Sequence, residues 1–250
     1  MERKSANQSC KRSLTPMILF IHIPKTAGTS FRNGLLNVFS RNEILFDYGF
    51  KAPETDREIL DLYNQDKTFS PHDVANVALS RKARVLCGHF PLQRYAHVFP
   101  DARPITFIRE PLQRCYSEYL HLRRHQSFDR SFREFISQTR NHNLQSRFLK
   151  DWPEDGFLGI SEKYPICLQE LAPRFGLEVP LLTHNTHRLK VDVPYPLEEI
   201  GEEEATRFYE MNQEDVVLYN RVAEQWPEEA PQQPTRFGQK LRHLASLLRS

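Results

Sequence analysis

The sequence predicts an α/β fold in which helices flank a parallel β-sheet. One observation is a set of short apolar runs rich in β-branched residues, at residues 17–23, 83–87 and 104–108. Runs of this length are typical of strands buried on both faces, and they are much too short to cross a membrane. The other observation is that a loop and then a helical pattern follow each run. Successive β-loop-α units favour a parallel sheet with right-handed crossovers.

The first unit, residues 17–36, reads as a strand, a tight loop and a helix. Pro24 ends the strand because it cannot donate a hydrogen bond to a neighbouring strand. A small, hydroxyl-rich loop follows at residues 25–30, and apolar residues then recur at helical spacing: Phe31, Leu35, Leu36 and Phe39. A loop of small residues at a helix start leaves backbone N–H groups pointing one way, and the helix dipole adds positive charge. Such a place suits an anion.

Single residues of this loop add to the prediction. Lys25 supplies a full charge, Gly28 lets the backbone approach a ligand closely, and Thr29 and Ser30 can both cap the helix and donate to phosphate oxygens. The alternative is a capped βα turn with a chance lysine, and the generic pattern favours neither interpretation. In the nucleotide loop G-x-x-x-x-G-K-[ST] the lysine follows the glycine, whereas here it precedes Gly28. A Mg-ATP site is therefore disfavoured.

The later elements are predicted in chain order, all within one domain at residues 17–226. Before the third strand they are a surface excursion at 41–70 with one short helix near 54–63, a helix at 71–79, the second strand and a helical turn at 92–99. After the third strand they are a helix from Pro111, a helix at 127–140, a fourth strand at 156–160, a helix at 161–171, an edge strand at 179–183 and a long helix at 202–226.

Three polar residues lie just past the ends of the predicted strands. They are Lys25, His89 and Arg109. Ligands of parallel sheets bind beyond the carboxyl ends of the strands. We therefore expect these three side chains to converge on one rim of the sheet, although they are far apart in sequence.

Two segments resemble a known family. HIPKTAGTS, His22 to Ser30, is similar to the 5′-phosphosulfate loop of sulfotransferases that use 3′-phosphoadenosine 5′-phosphosulfate (PAPS), in the branch of the heparan sulfate 2-O- and 6-O-sulfotransferases. The resemblance implies a P-loop-like sulfotransferase fold. It also implies that the loop residues bind the cofactor: Lys25, Thr26, Ala27, Gly28, Thr29 and Ser30.

FIREPLQRCYSEYLHLRR, residues 107–124, resembles the 3′-phosphate motif of the same family, in which an arginine is followed eight residues later by a serine. Here they are Arg109 and Ser117, and that spacing allows the serine to share a face with the helix start. Arginine offers a bidentate fork to phosphate. The alternative is that Arg109 pairs with Glu110 or Glu118 on a solvated surface.

His89, in CGHFP, falls where the resembling 2-O-sulfotransferases carry their catalytic histidine. A neutral imidazole can accept the proton of an acceptor hydroxyl. We interpret His89 as the general base, with Glu110 or Glu118 in reserve. His22 is interpreted as packing beside the loop.

Other familial segments add weaker candidates. Asn143, Gln145 and Arg147 in NLQSRFL either shape the acceptor side or fix their helix, and neither interpretation is favoured. Arg188 in HNTHRL lies, by resemblance, in a late loop near the 3′-phosphate. A basic run could line an anionic acceptor groove, although a solvated helix face is the simpler interpretation: Arg114, Arg123, Arg124, Arg130 and Arg133.

Composition limits the partners and the location. The formal net charge of +2 indicates no nucleic-acid binder. The cysteines, Cys10, Cys87, Cys115 and Cys167, show no zinc-ligand spacing, so we expect no metal and, for three of them, buried thiols. Residues 1–16 predict a flexible leader without signal peptide or anchor, and residues 227–250 a Pro/Gln-rich linker and a basic amphipathic helix. We expect a cytoplasmic protein, or one of the Golgi lumen if an anchor has been removed.

The predicted function is transfer of a sulfuryl group from PAPS to a hydroxyl acceptor, with adenosine 3′,5′-bisphosphate (PAP) as product. A carbohydrate is the favoured acceptor class. Lys25 and His89 are the predicted catalytic residues. Two alternatives remain: a nucleotide kinase, which would need a Mg-binding acidic residue at a strand end, and a nucleotide-binding relative without turnover.

Overall fold

A computed structural model of the chain describes residues 16–65, 69–182 and 196–226. Within these residues, five strands form one sheet in which all neighbours are parallel. In chain order they are β1 Ile18–Ile21, β2 Ile44–Asp47, β3 Val85–Gly88, β4 Arg103–Ile108 and β5 Phe157–Ile160. The predicted α/β class with a parallel sheet flanked by helices is confirmed.

The strand order is β2-β3-β1-β4-β5, with β1 in the centre. Ile18 of β1 is in register with Val85 of β3 on one side and with Arg103 of β4 on the other. The chain leaves β1 for the β2 edge, returns through β3 and then crosses to β4, so the strand order reverses around β1. Ligands of open α/β sheets bind at such a reversal, beyond the carboxyl ends of the strands.

The described helices flank the sheet. They are α1 Gly28–Val38, α2 Arg57–Gln65, α3 Pro71–Arg81, α4 Gln93–Ala96, α5 Pro111–His125, α6 Phe132–Ile136, α7 Leu144–Phe148, α8 Tyr164–Phe175, α9 Pro196–Met211 and α10 Gln213–Ala223. No helix in the described part of the chain has the length and apolarity needed to cross a membrane.

The apolar interior consists of two clusters. The larger surrounds the sheet and includes most of the strand residues, among them Phe20 and Leu86. The smaller joins α5, α6 and α9 through residues such as Tyr119, Phe132 and Phe208. As expected, the cysteines within the described residues are buried free thiols: Cys87, Cys115 and Cys167.

The first correction concerns residues 41–70, which the sequence predicts as a surface excursion. They contain β2, a fully buried strand at the edge of the sheet. The signal is weak because the strand ends in a charged residue, Asp47. That carboxylate is buried and accepts hydrogen bonds from the hydroxyls of Tyr95 at 2.6 Å and Tyr63 at 3.2 Å.

Three other predicted elements differ from those in the structure. Residues 179–182 form no strand, and Val179 instead packs against Gly34 of α1. The helix predicted at 202–226 is divided at Asn212, whose side chain accepts a hydrogen bond from the Asn143 amide at 2.8 Å. The helix predicted at 127–140 is reduced to α6. The leader, Thr183 and the C-terminal segment 227–250 lie outside the described residues.

Candidate active site

The loop after β1 is shaped for an anion by its backbone. Lys25 and Ala27 both have left-handed conformations, with φ of 70° and 67°. A residue in that region between right-handed neighbours turns successive N–H groups toward one point. Ala27 caps α1 without any side-chain acceptor, and the first turn carries no acidic residue. The amide donors of this helix start are thus not occupied by the helix's own side chains.

The hydroxyls of the loop have different positions. The buried Thr26 hydroxyl donates to the Ile23 carbonyl at 2.9 Å, so it holds the loop. Thr29 and Ser30 lie within the first turn of α1. The expectation that they cap the helix is wrong, because Ala27 occupies the cap position. Thr29 is exposed.

Gly28 is required by a close neighbour, since a Cβ there would overlap the imidazole of His22. His22 is buried, and its amide donates to the Gly88 carbonyl at 2.9 Å, which continues the β1–β3 pairing by one residue. The expectation that His22 packs beside the loop is confirmed.

His89 lies at the end of β3, and the same histidine holds it. Its Nδ1 is 2.5 Å from the His22 carbonyl oxygen. A carbonyl only accepts, so Nδ1 carries the proton and the Nε2 of neutral His89 has a free lone pair. The ring lies 4.6 Å from the His22 ring and 4.7 Å from the Tyr48 ring, centroid to centroid. These contacts fix which edge of the imidazole faces outward.

The protonation of His89 follows from these surroundings. The residue has an exposed edge, but protein crowds the ring on two sides, and this loss of hydration lowers its pKa below the usual value. The bond to the His22 carbonyl and the charges of Glu118 and Glu54 partly oppose that shift. The imidazole is therefore neutral near pH 7 and able to accept a proton.

Arg109 reaches the loop from the opposite side. Its guanidinium is 3.5 Å from the Lys25 carbonyl oxygen and 3.4 Å from the side chain of Gln113. Ser117 lies one helical turn beyond Gln113 on the same face of α5. Within the described residues Arg109 forms no ion pair with Glu110 or Glu118, so the surface-pair alternative is not observed.

Gln145 fixes the backbone at Arg109. Its amide nitrogen donates to the Arg109 carbonyl and its amide oxygen accepts from the Arg109 N–H, both at 2.8 Å. Gln145 is fully buried. Asn143 also has a structural contact, because its side chain accepts from the Asp215 amide at 3.3 Å. Arg147 is exposed and donates to the Arg140 carbonyl at 2.6 Å.

The two reserve carboxylates differ in position. Glu110 is buried and accepts from the amides of Leu112 and Gln113, so its carboxylate closes the start of α5. Burial raises its pKa to about 7. Glu118 instead lies near enough to His89 for its charge to raise that residue's pKa. Of the two, Glu118 is the neighbour of the predicted base.

The remaining candidates lie apart from this centre. Arg188 is outside the described residues. In the basic run, Arg114 is buried, and Arg133 pairs with Glu204. The five arginines therefore do not form one groove, although Arg123, Arg130 and Arg133 line one cavity together with Asp129. Tyr48, which the sequence did not single out, contacts both histidines. Tyr48 directly follows β2, and a position at the carboxyl end of a strand would have indicated a site residue, but β2 itself was not predicted.

Together, these features define an α/β protein with a strained loop and an uncapped helix start at the reversal of its sheet, flanked by an arginine and a neutral histidine. Within the described residues there is no group of His, Cys, Asp and Glu able to hold a metal ion. The sequence match agrees with this class. Residues 11–155, more than half of the chain, match the model of the Sulfotransferase family. The chain belongs to this family.

Solved structures with similar folds are also sulfotransferases. One from Alicyclobacillus acidocaldarius is 17% identical, with 82% of this chain and 95% of that chain covered at a TM-score of 0.47. A mouse sulfotransferase in complex with PAP is 8% identical, with coverage of 93% and 89% and a TM-score of 0.45. A sulfotransferase domain from the curacin biosynthetic pathway is 11% identical, with coverage of 93% and 97% and a TM-score of 0.40. Comparison with curated proteins gives no match.

Proposed function

We propose that the protein transfers a sulfuryl group from PAPS to a hydroxyl group, with a carbohydrate as the first acceptor class to test. The observation that carries the proposal is the position of the Lys25 loop between two groups. Arg109 contacts the loop from one side, and His22, at the loop's own start, holds His89 on the other. The resemblance of HIPKTAGTS to the heparan sulfate branch supports the carbohydrate acceptor.

The residues fit an anionic cofactor with two phosphate-bearing ends. Lys25 and the amides of residues 26–29 would hold the 5′-phosphosulfate, since no side chain caps the helix start and its first turn carries no acidic residue. Arg109 and Ser117 would hold the 3′-phosphate. PAPS supplies the activated sulfuryl group when bound.

The chain's own residues then have distinct roles. His89 accepts the hydroxyl proton of the acceptor at Nε2, while the bond from Nδ1–H to the His22 carbonyl keeps that nitrogen outward. Lys25 and the loop amides stabilise negative charge that grows on the leaving phosphate oxygen. Positioning and charge stabilisation supply most of the rate enhancement, as in phosphoryl transfer.

The two alternatives have less support. A kinase needs an acidic residue at a strand end that is open to Mg²⁺. Asp47 ends β2, but its carboxylate is buried against Tyr63 and Tyr95. A binding protein without turnover would have no use for the neutral, outward-facing Nε2 of His89.

The first experiment measures cofactor choice and transfer together. PAP should raise the melting temperature by mass action and Mg-ATP should do so far less. Labelled sulfate from PAPS should then appear on one class in a panel of sugar, lipid and small-molecule hydroxyl acceptors. Equal stabilisation by PAP and Mg-ATP would contradict the proposal, and PAP binding without single-turnover transfer would favour the non-catalytic relative.

The base is tested with His89→Ala and His89→Asn. Turnover should fall by roughly 10²–10⁴-fold with PAP binding nearly unchanged. His142 is a matched control, since it also bonds a backbone carbonyl through a ring nitrogen, at 2.9 Å from Ile136, but lies on another element. His142→Ala should leave turnover per folded molecule unchanged. Near-normal turnover in both His89 variants would transfer the assignment to Glu118.

A further inference from the structure

The imidazole of His22 lies directly under the first residue of α1, with the edge that carries Cδ2 and Nε2 against Gly28. We propose that His22 is itself a binding residue for the sulfuryl donor, a neutral histidine whose Nε2–H donates a hydrogen bond to the anion held by the Lys25 loop. The inference rests on the proposed function and adds a donor that neither the loop amides nor Lys25 provides.

The tautomer of His22 follows from Tyr48. The His22 Nδ1 is 2.8 Å from the Tyr48 hydroxyl oxygen, and the Cys87 sulfur is 3.2 Å from the same oxygen. Arg32 also interacts with this hydroxyl, and a guanidinium can only donate. The phenol therefore has one proton to give, to Nδ1 of His22 or to the Cys87 sulfur.

The imidazole nitrogen is the better acceptor of that proton. Burial raises the pKa of Cys87 to about 12, so the thiol keeps its proton and can itself donate to the phenol oxygen. The Tyr48 hydroxyl then donates to Nδ1 of His22. A neutral imidazole that accepts at Nδ1 carries its proton at Nε2, on the edge beside Gly28.

Charge and burial keep this ring neutral. Burial lowers the pKa of His22 well below its usual value, and the positive charges of Arg32 and Lys25 lower it further, as a proton on His89 would. The ring therefore does not compete with Lys25 as a cation. It acts as a donor with a fixed proton, as backbone amides do in an oxyanion site.

The Nε2 atom lies on the edge of the ring beside Gly28. Within the described residues the one hydrogen bond of the His22 side chain is that at Nδ1. Every buried side-chain nitrogen or oxygen there has a partner. A ring that is 5% exposed, with one nitrogen unpartnered, must therefore have that nitrogen in its exposed part. An anion at the amino end of α1 would complete its hydrogen bonding.

The test compares His22→Phe with wild type for PAP binding by titration calorimetry. Phenylalanine keeps the ring that packs against Gly28 and removes both nitrogens. PAP affinity should fall about tenfold to a hundredfold, the usual worth of a hydrogen bond to a charged group. Tyr48→Phe, which removes only the hydroxyl that fixes the tautomer, should lower the affinity less. A His22→Phe affinity within twofold of wild type would show that the histidine only packs.

Nuclear magnetic resonance of the ¹⁵N-labelled wild-type protein gives a second readout, which does not depend on whether a variant folds. The Nε2 of His22 should have the shift of a protonated ring nitrogen across neutral pH, and that signal should move when PAP is added. A proton on Nδ1 would overturn the inference. If wild type does not bind PAP, the proposed function fails, and inorganic pyrophosphate on the same proteins decides the role of His22. If wild type and His22→Phe bind pyrophosphate with equal affinity, or if neither binds it, the proposed role of His22 is rejected.

Discussion

Two helices begin at the same edge of the sheet, and their starts are built in opposite ways. α1 follows β1 with Ala27 at its cap position and no side chain that accepts from its first amides. α5 follows the neighbouring strand β4, and Glu110 accepts from the amides of Leu112 at 3.2 Å and Gln113 at 2.8 Å. One start is open to a foreign anion, whereas the protein's own carboxylate closes the other. In the proposed site Arg109 would therefore contribute through its side chain alone, since its own amide donates to Gln145.

The backbone differs in the same sense. The open start holds two non-glycine residues, Lys25 and Ala27, at positive φ, each at a cost of about 1–3 kcal/mol. The closed start has Arg109 held by both ends of the Gln145 amide. Strain is thus accepted where donors must be turned outward, and ordinary hydrogen bonding is used where a side chain carries the interaction.

The largest expected effect comes from removing the cationic side chain of each region. Lys25→Ala should lower turnover by about 10²–10³-fold, because its partner gains charge in the transition state. Arg109→Ala should instead lower PAP affinity by about 1.5–3 kcal/mol with little change in turnover at saturation. Arg103 at the opposite end of β4 is the control, and Arg103→Ala should change neither value per folded molecule. Both measurements come from steady-state rates and calorimetry. A Lys25→Ala variant that lost affinity alone would show that the reactive end is not at the open start.

A methyl group at the open start should come next. Gly28→Ala places a Cβ into the His22 ring and should lower turnover by about 10²-fold, the effect of a displacement of about 1 Å near the reacting groups. Gly34→Ala in the same helix meets the Val179 side chain, far from the loop. It should lower the melting temperature and leave the rate per folded molecule unchanged. Equal turnover per folded molecule for the two variants would mean that the position of the His22 ring does not affect the reaction.

The open start can also be given its own anion. Ala27→Asp adds a carboxylate where the proposed 5′-phosphosulfate binds, and Ala27→Asn adds the same shape without charge. Both residues tolerate the left-handed backbone. The Asp variant should bind PAP about tenfold more weakly than the Asn variant, and the difference should shrink in high salt. Identical affinities would contradict an anion site at α1.

The smallest effect concerns the closed start. The pKa of Glu110 is raised to about 7, so below pH 4.5 its protonated form costs nothing, and stability is lost as pH rises through 7 and the buried group ionises. Glu110→Gln should flatten that decline, seen as a change of a few degrees in the melting temperature between pH 5 and pH 8. Exposed Glu134 has a lowered pKa, so Glu134→Gln should not alter how the melting temperature changes between pH 5 and pH 8. A wild-type profile that does not fall from pH 5 to pH 8 would show that Glu110 is already ionised.

Much of the fold was predictable because its units are local. The strands β1, β3 and β4 are apolar runs with a helix behind each, and their order in sequence predicts that Lys25, His89 and Arg109 share a rim. The contacts that hold those residues are not local. His22 and His89 are 67 positions apart, and Arg109 and Gln145 are 36 apart. No spacing rule connects such pairs.

The cap residues show the same limit. Thr29 and Ser30 are ordinary cap residues by type, yet Ala27 takes the cap position because the loop turns through the left-handed region. β2 escaped recognition because its last residue, Asp47, is of a type that is usually exposed. Its carboxylate is satisfied by Tyr63 and Tyr95, which only the folded chain brings together.

The Gln145 contact sets a lower limit on the length of a working fragment. α7, which carries Gln145, is held by Asp215 of α10, whose carboxylate accepts from the amides of Gln145 at 3.1 Å and Ser146 at 2.7 Å. The family match ends at residue 155, well before α10. A fragment cut to that match would retain Lys25, His89 and Arg109 but would lose the anchor of the arginine. A minimal version of this protein therefore has to extend through α10, although every residue proposed for the chemistry lies in its first half.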